Sequence, residues 1–157
     1  MIGVAVVTVY TDGSSLGNPG PGGYGAVLIS GNRRKEIYGG FSCTTNNRME
    51  LKAVIEALKC LKGSRHQVAV YSDSRYVVDA FVRGWLDAWK QREWKKVKNT
   101  DLWMELWSLT QHHRVSWHWI KGHNQNPENE ACDRMARLAA SGSSLPEDTG
   151  YTADNQS

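Results

Sequence analysis

The sequence predicts an α/β fold on a mixed sheet, in which an antiparallel three-strand meander is followed by two strands that run parallel to its first. Three observations predict it. Val4 to Asp12, VAVVTVYTD, is a β-branched apolar run that stops at an aspartate and meets the Gly/Pro/Asn cluster GSSLGNPGPGGYG, the mark of a buried strand. Two further strand-like runs come next, and from Asn46 the apolar period becomes that of a helix. Beyond that helix, short apolar runs alternate with helical stretches, as parallel crossover units require.

Taken in order, Tyr24 to Ser30 and Glu36 to Cys43 read as the second and third strands, with Gly31-Asn32 as the turn between them. From Asn46 to Lys62, Leu51, Val54, Leu58 and Leu61 recur at helical spacing and Gly63 stops the run. Val68 to Ser72 is a short buried strand, followed by a helical region from Arg75 to Trp94 and a helix from Asp101 to His112. Arg114 to Ile120, RVSWHWI, alternates like a strand with one wet face. Asn126 caps a last helix that has Pro127 at its first position, where a proline is welcome. One domain over 1–141 accounts for all of these elements, and the aperiodic segment 142–157 is expected to be a loosely held tail.

Composition narrows the function classes. The 157 residues suffice for one compact core. No apolar run reaches the ~18 residues of a membrane span, and the N-terminus lacks a basic-then-apolar leader pattern, so the expectation is a cytoplasmic protein with no membrane association. Cys43, Cys60 and Cys132 are odd in number and widely spaced, which suggests free thiols rather than a disulfide framework or a thiolate zinc site. The net charge of +3 is unevenly placed. Between Arg83 and Lys98 six basic residues face only Asp87 and Glu93, giving +4, so the rest of the chain carries about −1.

The predicted topology gathers carboxylates. In a meander the third strand runs parallel to the first, so the helix that follows starts at the edge where Asp12 lies. That helix then crosses the sheet to feed a parallel strand ending at Asp73, about 4.8 Å from its neighbour. Asp12, Glu50, Asp73 and Asp133 therefore converge on the carboxyl edge of the parallel strands, where open α/β sheets place their sites. Glu50 is the most diagnostic of the four, because it shares a helical face with Val54, Ala57 and Leu61, and an unpaired carboxylate there is costly. Alone, Asp12-Gly13 reads as a turn dipeptide, Asp73 or Ser74 serves equally as a helix cap, and periodicity does not select Asp133. His123, in KGHNQNPEN, is equally an exposed loop histidine. Four crowded carboxylates repel unless cations neutralise them, and an all-oxygen donor set selects hard divalent ions. The chemistry that fits is two-metal phosphoryl transfer, with His123 placed either to shuttle a proton or to help product leave.

The stretches TDGSSLGNPGPGGYG, TTNNRMEL, SDSRYV, VKNTDLW, WIKGHNQNPENEACD and EDTGY resemble the type 1 ribonuclease H family of bacterial ribonuclease HI, over about Val6 to Tyr151. The resemblance implies a mixed five-stranded sheet with helices on both faces. It also implies endonucleolytic cleavage of the RNA strand of RNA/DNA hybrids, leaving 5′-phosphate and 3′-hydroxyl ends. Two Mg²⁺ ions, with Mn²⁺ able to substitute, are the implied cofactors. By match of motif, the metal-binding carboxylates fall on Asp12, Glu50, Asp73 and Asp133, and the catalytic histidine on His123. Hybrid contacts fall on Asn18, Thr45, Asn46 and Asn47, short polar side chains suited to a wide minor groove. Two departures stand out: Arg75 occupies a position where the family has Gln, and the basic segment between Trp94 and Trp103 is a few residues shorter.

That segment still reads as a hybrid grip. Lys90, Lys95, Lys96 and Lys98 supply charge, and Trp85 lies one helical turn from Trp89, among the cations. The bland alternative is a solvated basic face over core tryptophans. Two rival functions remain at this stage, a sibling of the same fold that cuts or joins DNA and a non-catalytic hybrid-binding module. The TTNN stretch disfavours the first, and four retained carboxylates disfavour the second. A monomer with no obligate protein partner is expected.

Overall fold

The computed structural model describes residues 5–122 and 125–151. β1 (Val6–Ser15), β2 (Gly20–Ser30) and β3 (Arg33–Thr44) form the antiparallel meander, with Asp12 opposite Gly25 and Gly25 opposite Tyr38. β4 (Gln67–Ser72) pairs parallel to β1, and β5 (Arg114–Trp119) parallel to β4, giving one five-stranded sheet in the order β3-β2-β1-β4-β5. The mixed sheet predicted from the sequence is the one observed.

Helices cover both faces. On one side α1 (Asn46–Lys59), α2 (Arg75–Val82) and α4 (Thr100–Thr110) enclose the main core around Val9, Leu51, Val54, Val70, Trp103 and Leu106, all inaccessible to solvent. Val7, Val9, Val68 and Val70 supply that core from alternate positions of β1 and β4, the period-two pattern of strands. On the other side α5 (Pro127–Ala140) lies over β1 and β2, with Cys132 and Ala131 on Val27. No described helix is long and apolar enough to cross a membrane.

Three elements differ from expectation. β1 does not stop at Asp12 but runs on to Ser15, because its ladder with β2 continues as far as Ser15 opposite Gly22. β2 begins at Gly20, not Tyr24, because the glycine-rich stretch is itself strand. A Cβ on Gly25 would lie 2.6 Å from the Cys132 carbonyl oxygen, and one on Gly23 would strike the Ala136 carbonyl, so the glycines let the α5 backbone settle directly on β2. The helical region after Arg75 is two helices, α2 and α3 (Trp85–Gln91), divided at Gly84, whose φ of 73° lies in the left-handed region that favours glycine.

One ionic cluster ties the last described residues to the core. The Arg48 guanidinium, wholly inaccessible, makes paired contacts to Asp101 at 2.7 and 2.8 Å and to Asp148 at 2.8 and 3.1 Å. Thr44 Oγ1 donates to Asp148 at 2.7 Å, and the Ser42 N–H donates to the Pro146 carbonyl at 2.8 Å. Burial alone pushes the Asp148 carboxyl up, but the hydrogen bonds from Arg48 and Thr44 outweigh it and hold the group below its ordinary value. A depressed acid stabilises the fold above its unfolded pKa and loses that contribution as pH falls through the folded value. Arg48→Ala should therefore cost about 3–5 kcal/mol at neutral pH, the usual result of breaking a buried pair from one side. Asp148→Asn should cost less, and its deficit should shrink in urea unfolding curves as the pH is taken progressively below the ordinary carboxylate value. A deficit that persisted unchanged there would assign the loss to packing instead.

Candidate active site at the carboxyl edge of the sheet

Asp12 occupies the buried part of β1 beside Gly13, whose N–H donates to Asp12 Oδ1 at 2.9 Å. Gly13 is packed so tightly against α1 that a Cβ would fall on the backbone of Met49 and Glu50. The first turns of α1 thus press against the strand, and Glu50 arrives beside Asp12 with only 6% of its surface exposed. Thr45 caps this helix by accepting from the Arg48 N–H at 3.2 Å, and Asn18 Oδ1 accepts from the Asn46 N–H at 3.0 Å.

Asp73 follows β4 directly. Ser74, not Asp73, caps α2, with Oγ accepting from the Val77 N–H at 3.3 Å. The capping role that competed for Asp73 in the sequence is therefore already filled by its neighbour. The Trp119 indole N–H donates to the Asp73 carbonyl at 3.0 Å, and Gly122 lies so close that a Cβ there would stand 2.8 Å from Asp73 Oδ2.

Asp12, Glu50 and Asp73 each offer a carboxylate oxygen within 4.8 Å of the others. Asp133 on α5 stands outside this trio and is ion-paired to Arg137 at 2.8 Å, although its charge is felt at Asp12. His123 lies outside the described residues. Burial, then the charges of Asp73 and Asp133, push the Asp12 carboxyl up to about 8. Burial raises Glu50 too, with Asp12 and Asp73 adding to the shift. Glu50 Oε1 is buried without a hydrogen-bond partner among the described residues. An anionic trio with an orphaned inward oxygen fits a hard divalent cation, which would satisfy that oxygen and remove the repulsion.

The residues expected to contact the hybrid differ in exposure. Asn46 is exposed and Asn47 half-buried, whereas Thr45 is buried as the cap. Arg75 stacks over the Trp119 ring at 4.0 Å and stands 3.9 Å from Asp79. Trp119, 40% exposed, was not singled out from the sequence, although the strand-like alternation of RVSWHWI is the signal that could have found it. Trp85 is exposed and tilts against Trp89, which packs edge-on to the buried Trp103. Lys90 sits over Trp107 at 3.9 Å, and Lys95, Lys96 and Lys98 are exposed. Of the tryptophans near this segment, Trp103 packs into the core while Trp85 stays exposed.

The RNase H family model matches residues 5–141. A ribonuclease H of Aeromonas salmonicida (strain A449) is 53% identical over 150 residues, covering 92% of this chain and 96% of the relative. One from Nitratidesulfovibrio vulgaris (strain DP4) is 50% identical over 152 residues, covering 94% and 97%. Among solved structures, LC9-RNase H1, described as a type 1 RNase H with the type 2 active-site motif, superimposes with a TM-score of 0.82 at 36% identity. That match covers 92% of this chain and 76% of the other.

The raised carboxyls have a consequence for the cation-free protein. An acid whose folded pKa exceeds its unfolded value contributes stability below the unfolded pKa, and that contribution is lost as pH rises through the folded value. For Asp12 the loss runs from about pH 4 to about 8. Thermal unfolding in EDTA should show Asp12→Asn melting above the unsubstituted protein at pH 8, with the gap closing by pH 4. A lower melting point for the variant at pH 8 would show that the Asp12 carboxylate is stabilising where it stands.

Proposed function

The chain belongs to the ribonuclease H family, and from that premise we propose that it hydrolyses the RNA strand of RNA/DNA hybrids endonucleolytically. The observation that carries this reading is the trio Asp12, Glu50 and Asp73, held within 4.8 Å at the carboxyl edge of the parallel strands. Bound there, two Mg²⁺ ions, with Mn²⁺ as substitute, would supply an activated water and charge stabilisation at the leaving oxygen, giving 5′-phosphate and 3′-hydroxyl ends.

The chain's own residues divide the remaining work. The Gly13 N–H fixes Asp12, the docking of α1 fixes Glu50, and Trp119 holds the backbone of Asp73. Asp133, tethered by Arg137, completes the anionic set from α5, and His123, by its place in the sequence before α5, moves a proton during turnover. Asn18, Thr45, Asn46 and Asn47 face the hybrid's minor groove. Since Asn18 Oδ1 and Thr45 Oγ1 already accept from α1, these two also set the angle at which the helix presents Glu50. Arg75, braced on the Trp119 ring, offers a cation beside the trio, and Trp85, Lys90, Lys95, Lys96 and Lys98 hold the duplex away from the cleavage point. We take the active form to be a cytoplasmic monomer.

A substrate panel tests the reading. Labelled hybrid, duplex DNA and duplex RNA of one sequence, incubated with and without Mg²⁺, should show cleavage of the hybrid's RNA strand alone and only with the ion. Asp12→Asn, Glu50→Gln and Asp73→Asn should each abolish cleavage while leaving hybrid binding in place. Preferential cutting of duplex DNA, or near-normal turnover by any of the three variants, would contradict it.

The basic segment makes a separate, quantitative claim. Replacing Lys95, Lys96 and Lys98 together by Ala should raise KM with kcat little changed, the signature of lost uniform binding. Each phosphate contact removed should flatten the slope of log K against log salt by about 0.9. An unchanged KM at low salt would reduce these lysines to a solvated face.

A further inference from the structure

Behind the carboxylate edge, four side chains meet in a buried polar junction that the proposed reaction leaves unused. The Tyr76 hydroxyl accepts from Asn99 Nδ2 and from the Trp103 indole N–H, each at 3.0 Å. Asn99 Oδ1 in turn accepts from Arg48 Nη1 at 3.4 Å. Burial pushes the Tyr76 phenol above its ordinary value, and the hydrogen bonds from Asn99 and Trp103 only partly oppose it, so the group stays a neutral acceptor.

Asn99 departs from what its place in the chain asks of it. As the residue before α4 it would ordinarily cap the helix, yet its side chain makes no capping hydrogen bond, and its φ of 58° lies in the left-handed region. It is wholly inaccessible to solvent. The amide is turned inward to Tyr76 and Arg48 instead, and a residue that breaks its local rule in this way serves something other than its own helix.

The elements joined are those that carry the site. Arg48 lies two residues before Glu50 on α1, Tyr76 three residues after Asp73 in the first turn of α2, and Asn99 directly after Lys98 at the exit of the basic segment. The segment's entry is different. At Gly84 a Cβ would meet nothing within 4 Å among the described residues, so that end is an open joint. Between the two ends Trp94 and Val97 rest on the core, a contact without direction, whereas the hydrogen bonds at the exit fix one.

We propose that Tyr76 is a positioning residue for cleavage: its hydroxyl, acting through Asn99, holds the exit of the basic segment against α1 and α2, so that the lysine grip and the carboxylate trio engage the hybrid at one fixed spacing. This role rests on the hybrid-cleaving reading and adds to it what sets the place of the cut along the duplex. Phosphate contacts fix register without reading sequence, and a grip held rigidly from the cutting site selects which phosphodiester is presented to it.

Single-turnover cleavage of an RNA/DNA hybrid of roughly 20 base pairs, end-labelled on its RNA strand and with product lengths read on a gel, measures that spacing. The unsubstituted protein should cut in a narrow cluster at a set distance from the duplex end. Tyr76→Phe, which keeps the ring and removes the acceptor, should spread the cuts over about three or more further positions and raise KM about fivefold, with kcat at saturation within about twofold. Asn99→Gly, which keeps the left-handed backbone and removes the amide, should do the same without touching the phenol. Trp103→Phe is the comparison: it removes the other donor to Tyr76 and should lower the melting temperature with the cut positions unchanged. Unchanged cut positions and KM in either of the first two variants would make Tyr76 a residue of stability alone and overturn the proposal. So would a spread of cuts in Trp103→Phe, or cuts already scattered along the whole duplex by the unsubstituted protein. A kcat lost as fully as in Asp12→Asn would place Tyr76 in the chemistry itself and overturn it as well. No cleavage at all by the unsubstituted protein would instead be the failure of the hybrid-cleaving reading, and the proposal falls with it.

Discussion

The close approach of α1 to β1 at Gly13 is the contact on which the rest of the site depends. A single methyl group at residue 13 would collide with the backbone between Met49 and Glu50, so the helix can reach the strand only because none is there. That approach makes Glu50 a neighbour of Asp12, and the parallel pairing of β4 with β1 brings Asp73 to the same edge. Three acids in this space oppose folding, as the upward shifts of Asp12 and Glu50 show. The chain offsets that opposition elsewhere, through the apolar core under α1 and the Arg48 cluster that ties β3, α4 and the residues around Asp148 together. Stability held at a distance lets the site remain electrostatically unfavourable until a cation arrives.

The helical cap is part of the same arrangement. Thr45, Asn18 and the turn that carries Asn18 all end on the N-terminus of α1, the end that bears Glu50. Residues expected to read the hybrid are thus also those that orient a carboxylate. In the proposed function, positioning of the hybrid and positioning of Glu50 would therefore share one set of contacts. Farther off, the segment around Lys90 to Lys98 is carried on tryptophans whose inner members, Trp89 and Trp103, are packed edge-on beneath it.

Much of this was legible in the residues. Glu50 stood out because the helical wheel puts it among apolar neighbours, and its burial follows from that pattern. The meander and the crossover placed Asp12 and Asp73 together because parallel connections allow few alternatives. Asp133 was less legible, since it sits at the margin of its helix's apolar face, and the structure pairs it with Arg137 outside the trio. Gly20 to Gly23 read as loop, because glycine signals turns in a sequence, whereas here Gly23 marks contact between the backbones of β2 and α5. Arg48 and Trp119 were missed for a common reason. A buried arginine is intelligible only once Asp101 and Asp148, far along the chain, are known to meet it, and Trp119 matters only beside Asp73 and Arg75.

The central claim, that one backbone contact assembles a cation-binding, RNA-cleaving site, is tested most directly at Gly13. Mn²⁺ binding followed by electron paramagnetic resonance, with hybrid cleavage measured on the same Gly13→Ala protein, reports both halves. Displacement of Glu50 by even about 1 Å should weaken ion binding and lower cleavage by roughly a hundredfold, in a protein that still unfolds cooperatively. Unchanged Mn²⁺ affinity and turnover in Gly13→Ala would show that the approach of α1 to β1 does not build the site.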